Sequence, residues 1–229
     1  MKIISICQPH FIPWIGYFFM IKKSNKFIFL DDVQYNRRSW QNRVHIRSSL
    51  NINEKKFLSL SIKDNSRSKD INQVFLLEKN IEDFKNQVIN SYRKSENFEF
   101  TFHFLNNFFE KNIFLNLSDF NILLIQEICK ILKIGLNFKK SSDLNLKDYK
   151  KENLILKILQ LEKGEIYLSN EGSKNYVSES FFEKQNIKVI YNEFIHPIYR
   201  QFNSKNFTPN LSIIDLIFNY KDAYKFFTN

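Results

Sequence analysis

At 229 residues with 43% hydrophobic and 16% aromatic side chains, the chain can bury a sizeable core without disulfide or metal staples, which excludes a stapled mini-scaffold and a disordered chain. Cys7 and Cys129 lie far apart without metal-ligand spacing, so free thiols in a reducing compartment are expected, and no run reaches the roughly 18 uncharged apolar residues of a membrane span, so a cytoplasmic location is expected. A formal charge of +10 permits phosphate, nucleic-acid or lipid partners, but most of the excess is lysine scattered along the chain, as a solvated surface would have it.

In chain order, residues 2–7 (KIISIC) form a short β-branched run that predicts a buried strand stopped by Gln8 and Pro9. After Pro13, WIGYFFMIKKS repeats apolar residues at helical spacing, and KFIFLDDV predicts a second strand. This is the size of a βαβ unit, for which a parallel pair with a right-handed crossover is expected. The segment NRRSWQNRVHIRSS is basic and hydrophilic with one Trp, and residues 55–62 alternate like a strand. Residues 80–92 and 98–111 are helical in pattern, with phenylalanine at core spacing. The clearest amphipathic helix is 119–132, with Ser118 or Asp119 as its expected cap. A helical subregion around 80–135 follows from these three. NFKKSSDL then predicts a short strand, ENLILKILQLEKG a helix closed by Gly164, and residues 165–194 a second strand–turn–helix–strand unit. The closing FTPNLSIIDLIFN predicts a helix capped by Ser212 or Asn210. With no internal repeat or linker, the expectation is a single α/β domain over 1–229, built on a mostly parallel, Rossmann-like sheet flanked by helices.

No Walker loop, zinc pattern, nucleophile elbow or dinucleotide fingerprint is present, and four glycines leave little room for one. Residues 8–43 hold both tryptophans and two of the four prolines, a concentration that the surrounding Lys, Asn, Ile and Phe vocabulary does not explain. Ligands of parallel sheets bind beyond the carboxyl ends of the strands, where Gln8, His10, Asp31, Asp32 and Gln34 are expected. His10 is held between two prolines and suits proton transfer. Adjacent strand residues face opposite ways, so one of Asp31 and Asp32 is expected to act, Asp32 by preference. Trp40, Gln41 and Asn42, with Arg38 and Arg43, supply an aromatic face, amides and forked guanidinium donors suited to phosphate or carboxylate. Ser169, Lys174 and Tyr176 belong to a turn that can present amides and hydroxyls to an anion, and His196 can close the site. No metal ligand set is expected.

QPHFIPWIGYF, KFIFLDDVQYNRRSWQNR, YLSNEGSKNY, HPIY and FTPNLSIIDLIFN, in that order, resemble the WbqC-like proteins of O-antigen and other surface-glycan clusters. The resemblance implies an enzyme of glycan-precursor biosynthesis, a glycine transferase that acylates an amino sugar. Asn170 and Glu171 stand where members of that family carry more glycine. A remoter likeness is to nucleotidylyltransferase (HUP-like) folds, with Gly16 and Tyr17 at the position of their Gly-His. The expected partners are therefore a nucleotide-linked amino sugar and an acyl or glycyl donor, activated by ATP with Mg²⁺ or by a carrier. In that chemistry His10 or Asp32 would deprotonate the acceptor amine. The alternative from another class is a non-catalytic nucleotide-sugar or nucleic-acid binder using the basic segment 37–47.

Overall fold

The computed structural model describes every residue except 49–53, 64, 65, 67, 176, 203, 205 and 229. The chain opens β1 (Ile3–Cys7), α1 (Ile15–Lys23) and β2 (Lys26–Phe29), then a hairpin of β3 (Arg43–Arg47) and β4 (Lys55–Ser59). Three helices follow, α2 (Ile81–Tyr92), α3 (Phe98–Asn112) and α4 (Leu117–Ile131). Then come β5 (Phe138–Lys140), α5 (Lys151–Leu161), β6 (Ile166–Ser169), α6 (Glu179–Glu183), β7 (Lys188–Tyr191) and α7 (Ile213–Asn219).

Five strands form one wholly parallel sheet in the order β5-β2-β1-β6-β7. The period-2 alternation of the strands divides their side chains between two apolar layers. Cys7, Phe27, Phe29 and Leu168 point into a large cluster with α1, α4 and α7, while Ile4, Ile6, Ile28 and Tyr167 face a smaller one with α5 and α6. With helices on both faces, this is the doubly wound, Rossmann-like α/β architecture that the strand and helix patterns predict. Both βαβ-sized units are present, and both cysteines are buried free thiols.

Two local expectations are corrected. The cap of α4 is Asn116, not Ser118 or Asp119, which stand inside the first turn. Its side chain accepts from the Asp119 amide at 2.9 Å and donates to the Asp119 carboxylate at 2.7 Å, a reciprocal pair at the helix start. The basic segment after β2 is half of an antiparallel hairpin, in which His45 pairs with Phe57 and Arg47 with Lys55. Its charged alternate positions hid a strand whose other face, Val44 and Ile46, is buried. At the chain's end Ser212 is the cap of α7, accepting from Ile214 N at 3.4 Å.

One buried side chain joins the pieces that matter for the site. Asn121 on α4 is fully buried, and its Nδ2 donates to the Pro9 carbonyl at 2.9 Å and to the Gln41 carbonyl at 2.8 Å. The loop leaving β1 and the loop entering β3 are thereby held against one helix. Asn121→Asp keeps the volume but sets a carboxylate against two carbonyls. It is expected to cost about 3 kcal/mol or more by urea unfolding, since two buried carbonyls lose their donor and an unpaired carboxylate is buried against them; an unchanged midpoint would contradict the clamp.

Candidate active site

In the sheet the chain moves from β1 outward through β2 to β5, then crosses back to β6 on the other side of β1. Diverging connections at such a reversal leave a crevice at the carboxyl ends of the two central strands. A cavity of about 850 Å³ lies there, lined by Cys7, Gln8 and His10 after β1 and by Ser169, Asn170 and Ser173 after β6. Trp14, Gly16 and Tyr17 at the start of α1 form another wall, Asn192 and Phe194 after β7 another, and Trp40, His45 and Lys55 come in from the hairpin segment.

The walls are held by the backbone. The Phe11 amide donates to the Trp40 carbonyl at 2.8 Å, and the Tyr17 hydroxyl donates to the Gln8 carbonyl at 2.9 Å. Asn192 donates to the Gly16 carbonyl at 3.0 Å, tying the end of β7 to α1. Gly16 is required by a close approach: a Cβ there would stand 2.2 Å from the indole of Trp14. No side chain caps α1 and its first turn has no acidic residue, so the positive end of its dipole meets the cavity through Gly16.

Most polar groups of the lining are uncharged, Lys55 and Glu171 being the exceptions. Gln41 is fully buried; its Oε1 accepts from the Asn36 amide at 3.0 Å and its Nε2 donates to Gln8 Oε1 at 2.9 Å. With that oxygen engaged, Gln8 has its Nε2 donors to offer a ligand. Burial pushes His10 down to about 4, so its imidazole, 5.3 Å from the Tyr17 ring, is neutral at physiological pH. Burial likewise holds the Cys7 thiol up at about 12, which leaves it protonated and without nucleophilic character. Ser169 and Ser173 share a hydroxyl contact of 2.7 Å.

The model of the WbqC-like protein family matches residues 8–225. The chain belongs to that family. A similar protein of Mycobacterium tuberculosis, "Uncharacterized protein Rv1507c", is 29% identical over 228 residues, covering 96% of this chain and 94% of its own. No solved structure gives a significant match.

Of the residues singled out by sequence, this WbqC-like chain brings Gln8, His10, Trp40 and Ser169 to the cavity and sets Gln41 directly behind Gln8. Asp31 and Asp32 stand at the expected sheet edge but not on the cavity: Leu30 is the residue after β2 that lines it, and the two carboxylates turn to the segment after β5. The Asp31 carboxylate is buried and accepts from the Ser142 amide at 2.9 Å, the Ser142 hydroxyl at 2.7 Å and Asn72 at 3.4 Å. The Ser141 hydroxyl sits between Asp31 and Asp32, and these contacts fasten the end of β2 to the turn after β5. Gln34 is exposed and bridges to Asp70, Arg38 is exposed, and Asn42 donates to the Leu60 carbonyl at 3.0 Å within the hairpin. Lys174 is exposed beside Glu171 at 3.5 Å. His196 packs among Phe194, Tyr199 and Phe207, with burial lowering its pKa. Tyr176 lies outside the described residues.

The basic segment 37–47 does not make a continuous phosphate track. Arg43 stacks 4.0 Å over Phe57, and Arg47 is buried, with Nη1 donating to the Phe202 carbonyl at 2.5 Å. Among the described residues no cluster of three metal-ligating side chains occurs, and no helix is long and apolar enough to cross a membrane. Gly16 and Tyr17 were marked only through the remoter likeness to nucleotidylyltransferase folds, and what sequence reading missed is the contribution of Trp14, Asn192, His45 and Lys55. Trp14 was legible as one of only two tryptophans; the others give no local signal and reach the cavity through tertiary contacts.

The neutral His10 has a consequence for stability. Between pH 6.5 and about 4 the unfolded chain takes a proton that folded His10 refuses. Stability therefore falls on acidification through that window, by about 3 kcal/mol for this group, and is insensitive to it above pH 6.5. Burial lowers His45 and His196 in the same direction. Urea unfolding from pH 4 to 7.5 is expected to show a shallower acid slope in His10→Gln than in the parent, and identical slopes would contradict a buried neutral His10.

Proposed function

We propose that the protein transfers an acyl or aminoacyl group, glycyl in the simplest form, to the amine of a nucleotide-linked amino sugar during surface-glycan biosynthesis. The observation that carries this reading is the cavity at the strand-order reversal, which sets a neutral imidazole beside an amide donor pair and the open start of a helix. Family membership and the glycan context of the WbqC-like proteins support it.

Acyl transfer to an amine needs an unprotonated amine, a base for the proton shed after attack, and donors for the oxyanion. The amine nitrogen attacks the acyl carbonyl and the carbonyl electrons move onto oxygen. Gln8 Nε2 and the start of α1 are the donors that stabilise that oxyanion. The ammonium of the tetrahedral adduct passes its proton to His10, and collapse expels the activating group of the donor. Burial keeps His10 unprotonated throughout the physiological range but weakens it as a base, and the oxyanion formed beside it offsets that loss as the reaction proceeds. ATP with Mg²⁺ or a carrier would supply the activated carboxyl. In this reading Asp31 and Asp32 keep the sheet edge in register, and the proton transfer falls to His10.

Incubation with glycine, ATP, Mg²⁺ and a panel of nucleotide-linked amino sugars is expected to give a product heavier by one glycyl residue, detected by mass spectrometry. His10→Ala should lower kcat by about 10²–10⁴-fold while acceptor binding survives. Unchanged turnover in His10→Ala would remove the base from this scheme, and absence of any acylated amino sugar across donors would overturn the reading.

A further inference from the structure

The cavity does not end at the sheet. It continues onto the face of the β3–β4 hairpin, where Trp40, His45 and Lys55 line it and Phe57 stands beside them. Trp40 and His45 meet edge to face at 5.3 Å, His45 and Phe57 lie 4.2 Å apart with planes tilted by 34°, and the Arg43 guanidinium covers Phe57 at 4.0 Å. Trp40 is 47% exposed and Phe57 42% exposed. A single exposed aromatic needs no explanation, but two adjacent ones bordering a cavity, flanked by cations, have the form of a stacking platform. The platform is fixed by the Phe11–Trp40 backbone bond and by the hairpin's five paired positions, so it exists before any ligand arrives.

We propose that this hairpin face is the seat of a nucleobase, which stacks on Trp40 and on the Arg43 guanidinium that Phe57 supports, while Lys55 meets the phosphates of the same ligand. The inference rests on the reading that the acceptor is nucleotide-linked, and names where its nucleoside end goes. Every base has a π-face, and stacking on exposed aromatics tolerates any of them, whereas an acyl chain would want an enclosed wall free of cations. The order of such a ligand is base, ribose, diphosphate, sugar. With the reacting amine at His10 inside the cavity, the base is the part that must lie farthest out, and the hairpin is the aromatic surface found there. Lys55 and the start of α1 then bracket the diphosphate between base and sugar. Arg43, Lys55 and the helix dipole present positive potential along that line, while Glu171, the acidic residue of the lining, follows β6 and is paired with Lys174 at 3.5 Å.

The test compares base-bearing with base-free ligands on the full chain by isothermal titration calorimetry. The probes are the diphosphates of uridine, thymidine, guanosine and adenosine, against pyrophosphate and glucosamine 1-phosphate. At least one nucleoside diphosphate should bind more tightly than either base-free probe. Trp40→Ala and Phe57→Ala should each weaken that binding by at least about fivefold, the low end for a lost base stack, and leave the base-free probes unchanged. Trp40→Phe, which keeps a ring, should recover most of the affinity; thermal melts of all three variants confirm folding. The assignment is overturned if base-bearing and base-free ligands bind alike, if neither alanine variant changes nucleotide affinity, or if no nucleotide binds. If a nucleotide-linked amino sugar is acylated and bound with an affinity that both alanine substitutions leave intact, the stacking assignment fails while the acceptor reading stands. If nucleotides stack as described but no amino sugar is acylated, the transfer reading fails alone.

Discussion

The amide nitrogen of Asn121 donates to two carbonyls that belong to segments far apart in the chain, Pro9 after β1 and Gln41 before β3. The loop that carries Gln8 and His10 and the segment that carries Trp40 are held to one helix by that pair of bonds. Pro9 carries Gln8 and His10 on either side of it. Gln41 turns the Gln8 amide, and its neighbour Trp40 begins the hairpin face. A buried amide is an economical clamp: it satisfies two carbonyls that would otherwise be orphaned, and it does so without bringing a charge into the core. The same choice recurs across the site, where Asn192 fixes α1 to the end of β7 and Gln41 orients Gln8. The frame of the site is thus built from neutral amides, which leaves the cavity's electrostatic character to the α1 dipole, Lys55, Glu171 and whatever ligand enters.

That neutrality explains why the titratable groups lining the cavity behave as they do. His10 and Cys7 have no charged partner to offset the loss of water, so burial alone moves the imidazole down and the thiol up. The contrast is Asp215 at the other end of the large apolar cluster. Its carboxylate accepts from Tyr199 at 2.8 Å and Gln201 at 2.9 Å, which lower its pKa against the larger upward effect of burial. There the carboxylate ties the loop after β7 to α7. Polar burial in this fold therefore has two uses, structural where the group bridges two segments, as Asp215 does through Oδ2 with its Oδ1 left unpartnered, and chemical where one group faces open space.

The sheet was legible in the sequence because parallel strands buried on both faces read as short β-branched or aromatic runs, as in IISIC, KFIF and IYLS. Of the hairpin, β4 was legible as the alternating run 55–62, but β3 was not, since Arg43, His45 and Arg47 mask the buried alternation of Val44 and Ile46. For the site, the stretch from Gln8 to Trp40 was marked by residues outside the chain's ordinary vocabulary. Which strand ends converge was not marked: Asp31 and Asp32 follow β2 as naturally as Gln8 and His10 follow β1, and only the strand order places the polar end of β6 on the crevice with β1, where β2 contributes Leu30 and neither aspartate. Strand order is a property of crossover connections, and no local pattern encodes it.

The central claim is that ligand binds where the strand order reverses, between the ends of β1 and β6. A crystal structure of the protein with a nucleotide-linked amino sugar tests it most directly. The account predicts density for the sugar against Gln8 and His10, with the nucleoside leaving toward the hairpin. Density at the Asp31–Asp32 edge between β2 and β5, with the β1–β6 cavity filled by water alone, would contradict it.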